Sequence, residues 1–299
     1  MAEMFNEAED AVRVAEKEAE AAETRTVTGD AGRGHFLDPA GSTMSGKLPG
    51  GFRDEAGVLH RAFVVREMTG VEEDLLGGKG SQMVRMNRII TNCLLSLGTV
   101  SDKAIIATAV QAMPTADRVA VLLTLRRLSL GDAYVLRLKC PNEDCLVEDS
   151  YTVSLGDLEV SDMAQPEQRQ FETVCPSGRR VGWHVMTGAD EEWMWDVAKR
   201  RHDDDAFTLS FLARMDTIDG EPVRRGTGAK NDAVYDLAAA RVKALTVRER
   251  NDVREEVVAL EGGVDTTVEF ECKQCHHTWE RSLPIGGPDF FFRSAKRKR

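Results

Sequence analysis

Two short segments of this chain bring cysteines close together: Cys140-Pro-Asn-Glu-Asp-Cys145 and Cys272-Lys-Gln-Cys275. Both spacings fall in the range that zinc knuckles use, where a tight turn between two strands presents two thiolates to one ion. A structural zinc takes four ligands in a tetrahedron, and each segment offers two. The economical arrangement has Cys140, Cys145, Cys272 and Cys275 share one zinc that staples two parts of the chain together. Four protein ligands leave no position for water or substrate, so such a zinc would hold structure rather than carry out a reaction. His276 or His277 is a rival ligand, and the plain alternative is a set of thiols that bind nothing. Cys93 falls on the apolar face of a helical pattern and Cys175 beside a hairpin turn, positions that suit ordinary thiols. A disulfide framework would need an oxidising compartment, of which the sequence gives no sign.

Other segments invite chemical readings that their context weakens. Gly77-Gly78-Lys79-Gly80-Ser81 has the composition of a phosphate loop but neither its spacing nor a preceding buried strand. His202-Asp203-Asp204-Asp205 could bind a hard cation, yet charge runs of this kind are usually solvated loops. Glu72, Glu73, Glu191 and Glu192 form carboxylate pairs, and a place in the first turn of a helix explains them through capping and the helix dipole. Trp193, Met194 and Trp195 could make a docking face, although one or two of them will be core in any such helix. The sequence holds no recognised nucleophile or metalloprotease motif, and no enzyme is expected.

Near the end, Pro288-Asp289-Phe290-Phe291-Phe292 runs into Arg293, Lys296, Arg297, Lys298 and Arg299. Three adjacent aromatics cannot all face inward. They suit insertion into a partner or into the protein's own groove, with the basic end seeking an acidic surface. Phe290, Phe291, Phe292, Arg297 and Arg299 are accordingly the expected partner contacts, against the simpler reading of a terminal anchor with a solvated end.

The elements that must position these residues are legible in the pattern. Residues 1–46 form an acidic extension, an Ala/Glu-rich stretch with a thin apolar stripe at Phe5, Ala8, Val12 and Ala15 followed by a Gly/Ser/Thr-rich linker. A first unit over 47–160 then reads as a hairpin turning at Asp54–Gly57, a helix capped by Thr69, core helices over 84–97 and 115–128, and a strand into Cys140 that returns through Tyr-Thr-Val-Ser-Leu. A second unit over 161–292 repeats the order, with helical stretches over 207–215 and 233–260, and a basic tail follows at 293–299. Met186, Thr187 and Gly188 repeat Met68, Thr69 and Gly70, with Glu191 and Glu192 as the acidic first turn. Tyr151, Ser154 and Leu155 are answered by Trp279, Ser282 and Leu283. The expected fold is α+β: an internally duplicated unit of small antiparallel sheet with helices, each copy carrying a two-cysteine, zinc-ribbon-like knuckle, the copies related by an approximate twofold about the metal.

Composition bounds the function. A content of 42% hydrophobic residues is enough for a core, and no apolar run approaches the roughly 20 residues needed to cross a bilayer. The acidic first segment lacks a signal-peptide centre, which points to a cytoplasmic start. The formal net charge of −11 opposes nucleic acid and anionic lipid. A zinc-ribbon nucleic-acid module, suggested by the knuckles and basic tail, is the alternative that this charge argues against.

In order along the chain, LPGG, GVLHRAFVVREMTGVEEDLL, LRRLSLGDAYVLRLKCP and the second knuckle resemble the baseplate hub assembly protein family of T-even-type contractile-tailed phages and related contractile injection systems, best over residues 48–158. The resemblance implies a chaperone or minor structural component that binds hub, spike and other tail proteins. It would act in the host cytoplasm during assembly and, as a structural component, in the virion baseplate. It implies no catalytic residues and no small-molecule substrate.

Overall fold

The computed structural model describes residues 42–79, 81–201, 206–285 and 288–291, the side chains of 288 and 289 excepted. The fold is α+β, with several small antiparallel sheets and the helices packed between them.

Alternating burial builds an antiparallel pair, β1 (Thr43–Arg53) and β2 (Leu59–Arg66). The turn falls where expected: Gly57, at φ +84°, donates its N–H to Asp54 O at 3.0 Å, a backbone conformation that favours glycine. Residues 43–46 belong to β1, so the linker expected to run to Gly46 ends earlier. Thr69 starts α1 (Gly70–Gly77) with a capping box, in which its N–H donates to Glu72 Oε2 at 2.9 Å. Ser81 caps α2 (Gln82–Cys93), which buries Met86, Ile89, Ile90 and Cys93 along one stripe.

The helix expected to reach Leu97 stops at Cys93. Residues Leu94–Leu97 leave it as β3 and pair with the open edge of β2. Lys103 Nζ donates to Leu94 O at 2.5 Å and reaches the carbonyls of Thr91 and Asn92, supplying donors at this helix end. Lys103 itself opens α3 (Lys103–Ala112), and α4 (Thr115–Leu130) lies across β1 and β2. Next come the hairpin β4 (Ala133–Lys139) and β5 (Glu148–Ser154), a 3-10 turn at Leu155–Asp157, and the short β6 (Val160–Ser161).

The second half runs β7 (Gln170–Val174), β8 (Arg180–His184), α5 (Gly188–Arg200), α6 (Ala206–Arg214), β9 (Met215–Ile218), β10 (Glu221–Pro222), α7 (Ala233–Lys243), α8 (Val247–Glu261), β11 (Gly263–Val264), β12 (Thr267–Glu271), β13 (Thr278–Ser282) and α9 (Pro288–Phe291). The single helical stretch expected over 233–260 is two helices, because Thr246 and Glu249 form a capping box that starts a new one. Met215 opens a strand rather than closing a helix.

Two strand pairs, β2 with β3 and β8 with β9, have similar registers. Phe63, Val64 and Val65 pair with Leu97, Ser96 and Leu94, with a bulge between Val64 and Val65. Val181, Gly182 and Trp183 pair with Ile218, Thr217 and Met215, with a bulge between Gly182 and Trp183. The residues after β3 and β9 are both left-handed, Gly98 at φ +54° and Asp219 at φ +53°, although β3 is an edge strand and β9 lies between β8 and β10. Each capping-box carboxylate meets a cation three residues before its cap: Glu72 with Arg66 at 3.0 Å, and Asp190 with His184 at 3.3 Å. Asp190, like Glu72, is the carboxylate of its helix's capping box, one residue earlier than the acidic pair singled out in the sequence.

Two apolar cores result. One gathers β1 to β5 and α1 to α4, and it also takes Phe270, Leu283, Phe290 and Phe291 from the end of the chain. The other is built around Trp183, Tyr235 and Phe211. Polar contacts stitch them together: Thr115 N–H donates to Met186 O at 2.9 Å, Arg118 pairs with Glu191 at 3.0 Å, and Asn87 donates to Glu192.

Candidate metal centre

Each cysteine pair sits at the tip of a two-stranded hairpin whose ladder fixes the first thiol. Cys140 N–H donates to Val147 O at 2.8 Å, and Cys272 N–H donates to His277 O at 2.9 Å. At the far ends Leu155 N–H donates to Asp132 O and Leu283 N–H to Thr266 O, so both hairpins close alike. The second ladder has five residue pairs against seven in the first. Tyr151 and Trp279 therefore correspond when counted from Leu155 and Leu283 but not when counted from the cysteines; in space their rings meet edge-on at 5.7 Å. Leu146 and His276, each following the second cysteine of its knuckle, share a left-handed backbone at φ +49° and +56°. That conformation costs a residue with a Cβ about 1 kcal/mol. Two loops of different length reach the same strained geometry, which turns the second thiol back toward the first.

The hairpin tips meet. Cys140 Sγ lies 3.7 Å from Cys275 Sγ and Cys145 Sγ lies 3.7 Å from Cys272 Sγ, and all four sulfurs are within 4.8 Å of one another. All six cysteines are free. The edge of a sulfur tetrahedron about a metal at 2.3 Å is about 3.8 Å, so the set fits one tetrahedral ion. Cys140 and Cys272 are buried, and Cys275 is open to solvent. Lys273 Nζ clamps the tips across the gap, donating to Ser150 O at 3.0 Å and pairing with Asp149 at 2.9 Å.

The sulfurs do not ionise alike. Backbone N–H groups of Cys275 and Gln274 donate to Cys272 and hold its thiol down at about 6. Burial pushes Cys140 up to about 12 against the donation from the Asn142 N–H. The Val147 N–H favours the Cys145 thiolate, yet burial and the neighbouring sulfurs raise it overall. Thiols this close cannot all shed protons without a cation among them, and a bound metal supplies that charge.

Comparison with protein families, with curated proteins and with solved structures finds no match. The site's own chemistry is what bears on function.

The rival histidines stand away from the sulfurs. His276 Nδ1 pairs with Glu271 at 2.6 Å, and His277 stacks on Trp279. Asn142, which the sequence reading passed over, accepts from the N–H groups of Cys145 and Leu146 at 3.0 Å and reaches Cys275 Sγ through its amide at 3.8 Å. The Pro-Asn pair after Cys140 was the available signal, since asparagine commonly organises tight turns.

The aromatic tail requires a correction. Phe290 and Phe291 are buried, with the Phe290 ring edge-on to Tyr134 at 5.3 Å and its carbonyl accepting from Arg126 Nε at 2.9 Å. These rings complete the protein's own core beside the two knuckle hairpins, the own-groove placement that the aromatic run also allowed, and so are not exposed to a partner. Phe292, Arg293, Lys296, Arg297, Lys298 and Arg299 lie outside the described residues, as do residues 1–41 and the run His202–Asp205. Glu72 is wholly buried in its cap, whereas Glu191 and Glu192 face the other half. Gly77 ends α1 and Ser81 caps α2. Trp193 is half-buried, donating to Gly226 O at 3.0 Å, while Trp195 is exposed.

Proposed function

We propose that this chain is a non-enzymatic assembly protein, a duplicated unit stapled by one structural zinc, which helps build the baseplate hub of a contractile phage tail as chaperone or minor component. The observation that carries the structural part is the meeting of two cysteine pairs, distant in sequence, with sulfur separations suited to a tetrahedron. Zinc suits an all-thiolate tetrahedral set, which iron can also occupy, and four cysteines leave no open coordination position for substrate. Cys140, Cys145, Cys272 and Cys275 would hold the ion.

Duplication is supported by the repeated strand register, the repeated bulge and the cation-to-cap pairs Arg66–Glu72 and His184–Asp190. The tail-assembly role is supported by the ordered motifs from LPGG to the second knuckle. Among the described residues no helix is long and apolar enough to cross a membrane.

The test is mass spectrometry of proteins co-purifying with a tagged copy from assembling lysate and from finished particles. Hub, spike or tube proteins in lysate alone would mean a chaperone; recovery from particles too would mean a structural component. Nucleic acid, or no tail protein in either sample, would overturn the reading.

A further inference from the structure

Between the two knuckle hairpins lies an open groove of about 780 Å³, lined along its length by β5 and β12. β5 pairs only with β4 and β12 only with β13, so the two strands face each other without a ladder between them. The groove is bounded at one end by the hydrogen bond from Asp265 N–H to Glu159 O and at the other by Lys273, which crosses to Ser150 O.

Its charge is one-sided. Asp157, Glu159, Asp265, Glu269 and Glu271 line it and are exposed, and Lys273, the one cation in the lining, is already paired with Asp149. Glu271 meets His276, and Asp265 accepts from the Thr267 N–H. Asp157, Glu159 and Glu269 have no ion-pair partner among the described residues. Carboxylates held together along a concave wall concentrate a negative field there.

We propose that the basic segment from Arg293 to Arg299 of the same chain is the ligand of this groove. Three observations meet on that assignment. The segment carries five cations in seven residues, Arg293, Lys296, Arg297, Lys298 and Arg299, opposite in charge to the three unpaired carboxylates and enough to meet them all. It follows directly from α9, whose Phe290 carbonyl is held by Arg126 at the end of α4. The next residue, Arg127, pairs with Asp132, and Asp132 also accepts from the backbone N–H of Gly156, beside Asp157. Residues 292–299 could span about 26 Å at full extension, against about 17 Å for a five-residue strand such as β12. A tether this short gives a local concentration in the millimolar range, so the segment outcompetes free peptides of the same charge.

The assignment does not depend on the tail-assembly reading, and its test does not use tail proteins. Hydrogen–deuterium exchange is followed over residues 150–159 and 265–271 in the full chain and in a chain lacking residues 294–299, which keeps Phe290 and Phe291. Removing the segment is expected to speed exchange there about tenfold, the factor for a ligand held at ten times its dissociation constant. A synthetic peptide of residues 292–299 is expected to restore protection to the shortened chain. Its effect should vanish in D157N/E159Q/E269Q and at about 0.5 M salt, where screening acts within about 4 Å. Equal exchange in the two chains, or protection that survives in the triple variant, would overturn the proposal. Protection that appears only as the chain dimerises would assign the groove to a second copy and overturn the intramolecular placement.

Discussion

Replacing Cys140 and Cys145 together by serine leaves the second knuckle with two thiols and separates two models of the centre. If one ion is shared, the variant loses all its metal; if each knuckle holds its own, it keeps half. The energetic consequence follows from the loop that the centre closes, since Cys145 and Cys272 are 127 positions apart. Tethering two points that far along an unfolded chain removes conformational entropy worth about 5 kcal/mol on the cross-link relation. For a chain of this size each kcal/mol moves Tm by about 2–4 °C, so the variant should melt about 10–20 °C lower. The assay pairs metal per chain by elemental mass spectrometry with calorimetric unfolding in zinc-replete buffer, and a chelator should bring the unaltered protein down by a similar amount. A double replacement of Cys93 and Cys175 by serine should leave the metal content unchanged. Half the metal retained, or a melting point within a couple of degrees of the parent, would refute the shared centre.

Three further outcomes follow from buried groups. Phe290→Ala should destabilise the protein by about 3–4 kcal/mol in denaturant titration, as truncation of a core ring does, whereas a ring reserved for a partner would leave stability unchanged. Burial alone would raise the Glu72 carboxyl, but hydrogen bonds from Arg66 and Thr69 overcome it and hold the group at about 2, below its ordinary 4.5. Its stabilisation is therefore complete above pH 4.5 and lost as pH falls toward 2, and Glu72→Gln should cost about 2 kcal/mol at pH 7 and little in strong acid, as measured by chemical unfolding at several pH values. Asp117 behaves oppositely: burial pushes it up to about 6 against the Gly50 N–H and the Arg169 charge, and its Oδ2 has no hydrogen-bond partner among the described residues. Stability from its protonated form is present below pH 3.8 and lost as pH rises through 6. Asp117→Asn, which can keep the Gly50 bond, should stabilise the protein by about 1–2 kcal/mol near pH 7 and flatten that part of the pH profile.

Much of the first half was legible because its signals are local. The Asp54–Gly57 turn, the Thr69 cap, the apolar stripe of α2 and the strand into Cys140 each depend on neighbours within a few residues. Helix ends were less legible. Leu94 to Leu97 continue an apolar helical pattern, and only the open edge of β2, roughly 30 residues earlier, draws them into a strand. The aromatic tail misled for the same reason: Phe290 and Phe291 looked surplus until Tyr134 and Arg126 supplied a place for them.

The sequence by itself determined the two cysteine hairpins and the α+β character, because turn chemistry and apolar period act over short spans. Only the tertiary structure decided that the four sulfurs come within 4.8 Å, that Asp190 rather than Glu191 closes the capping box with Thr187, and that Phe290 and Phe291 belong to the first core. Those outcomes depend on which surfaces of distant segments are buried together, and a linear pattern records each surface without recording its mate.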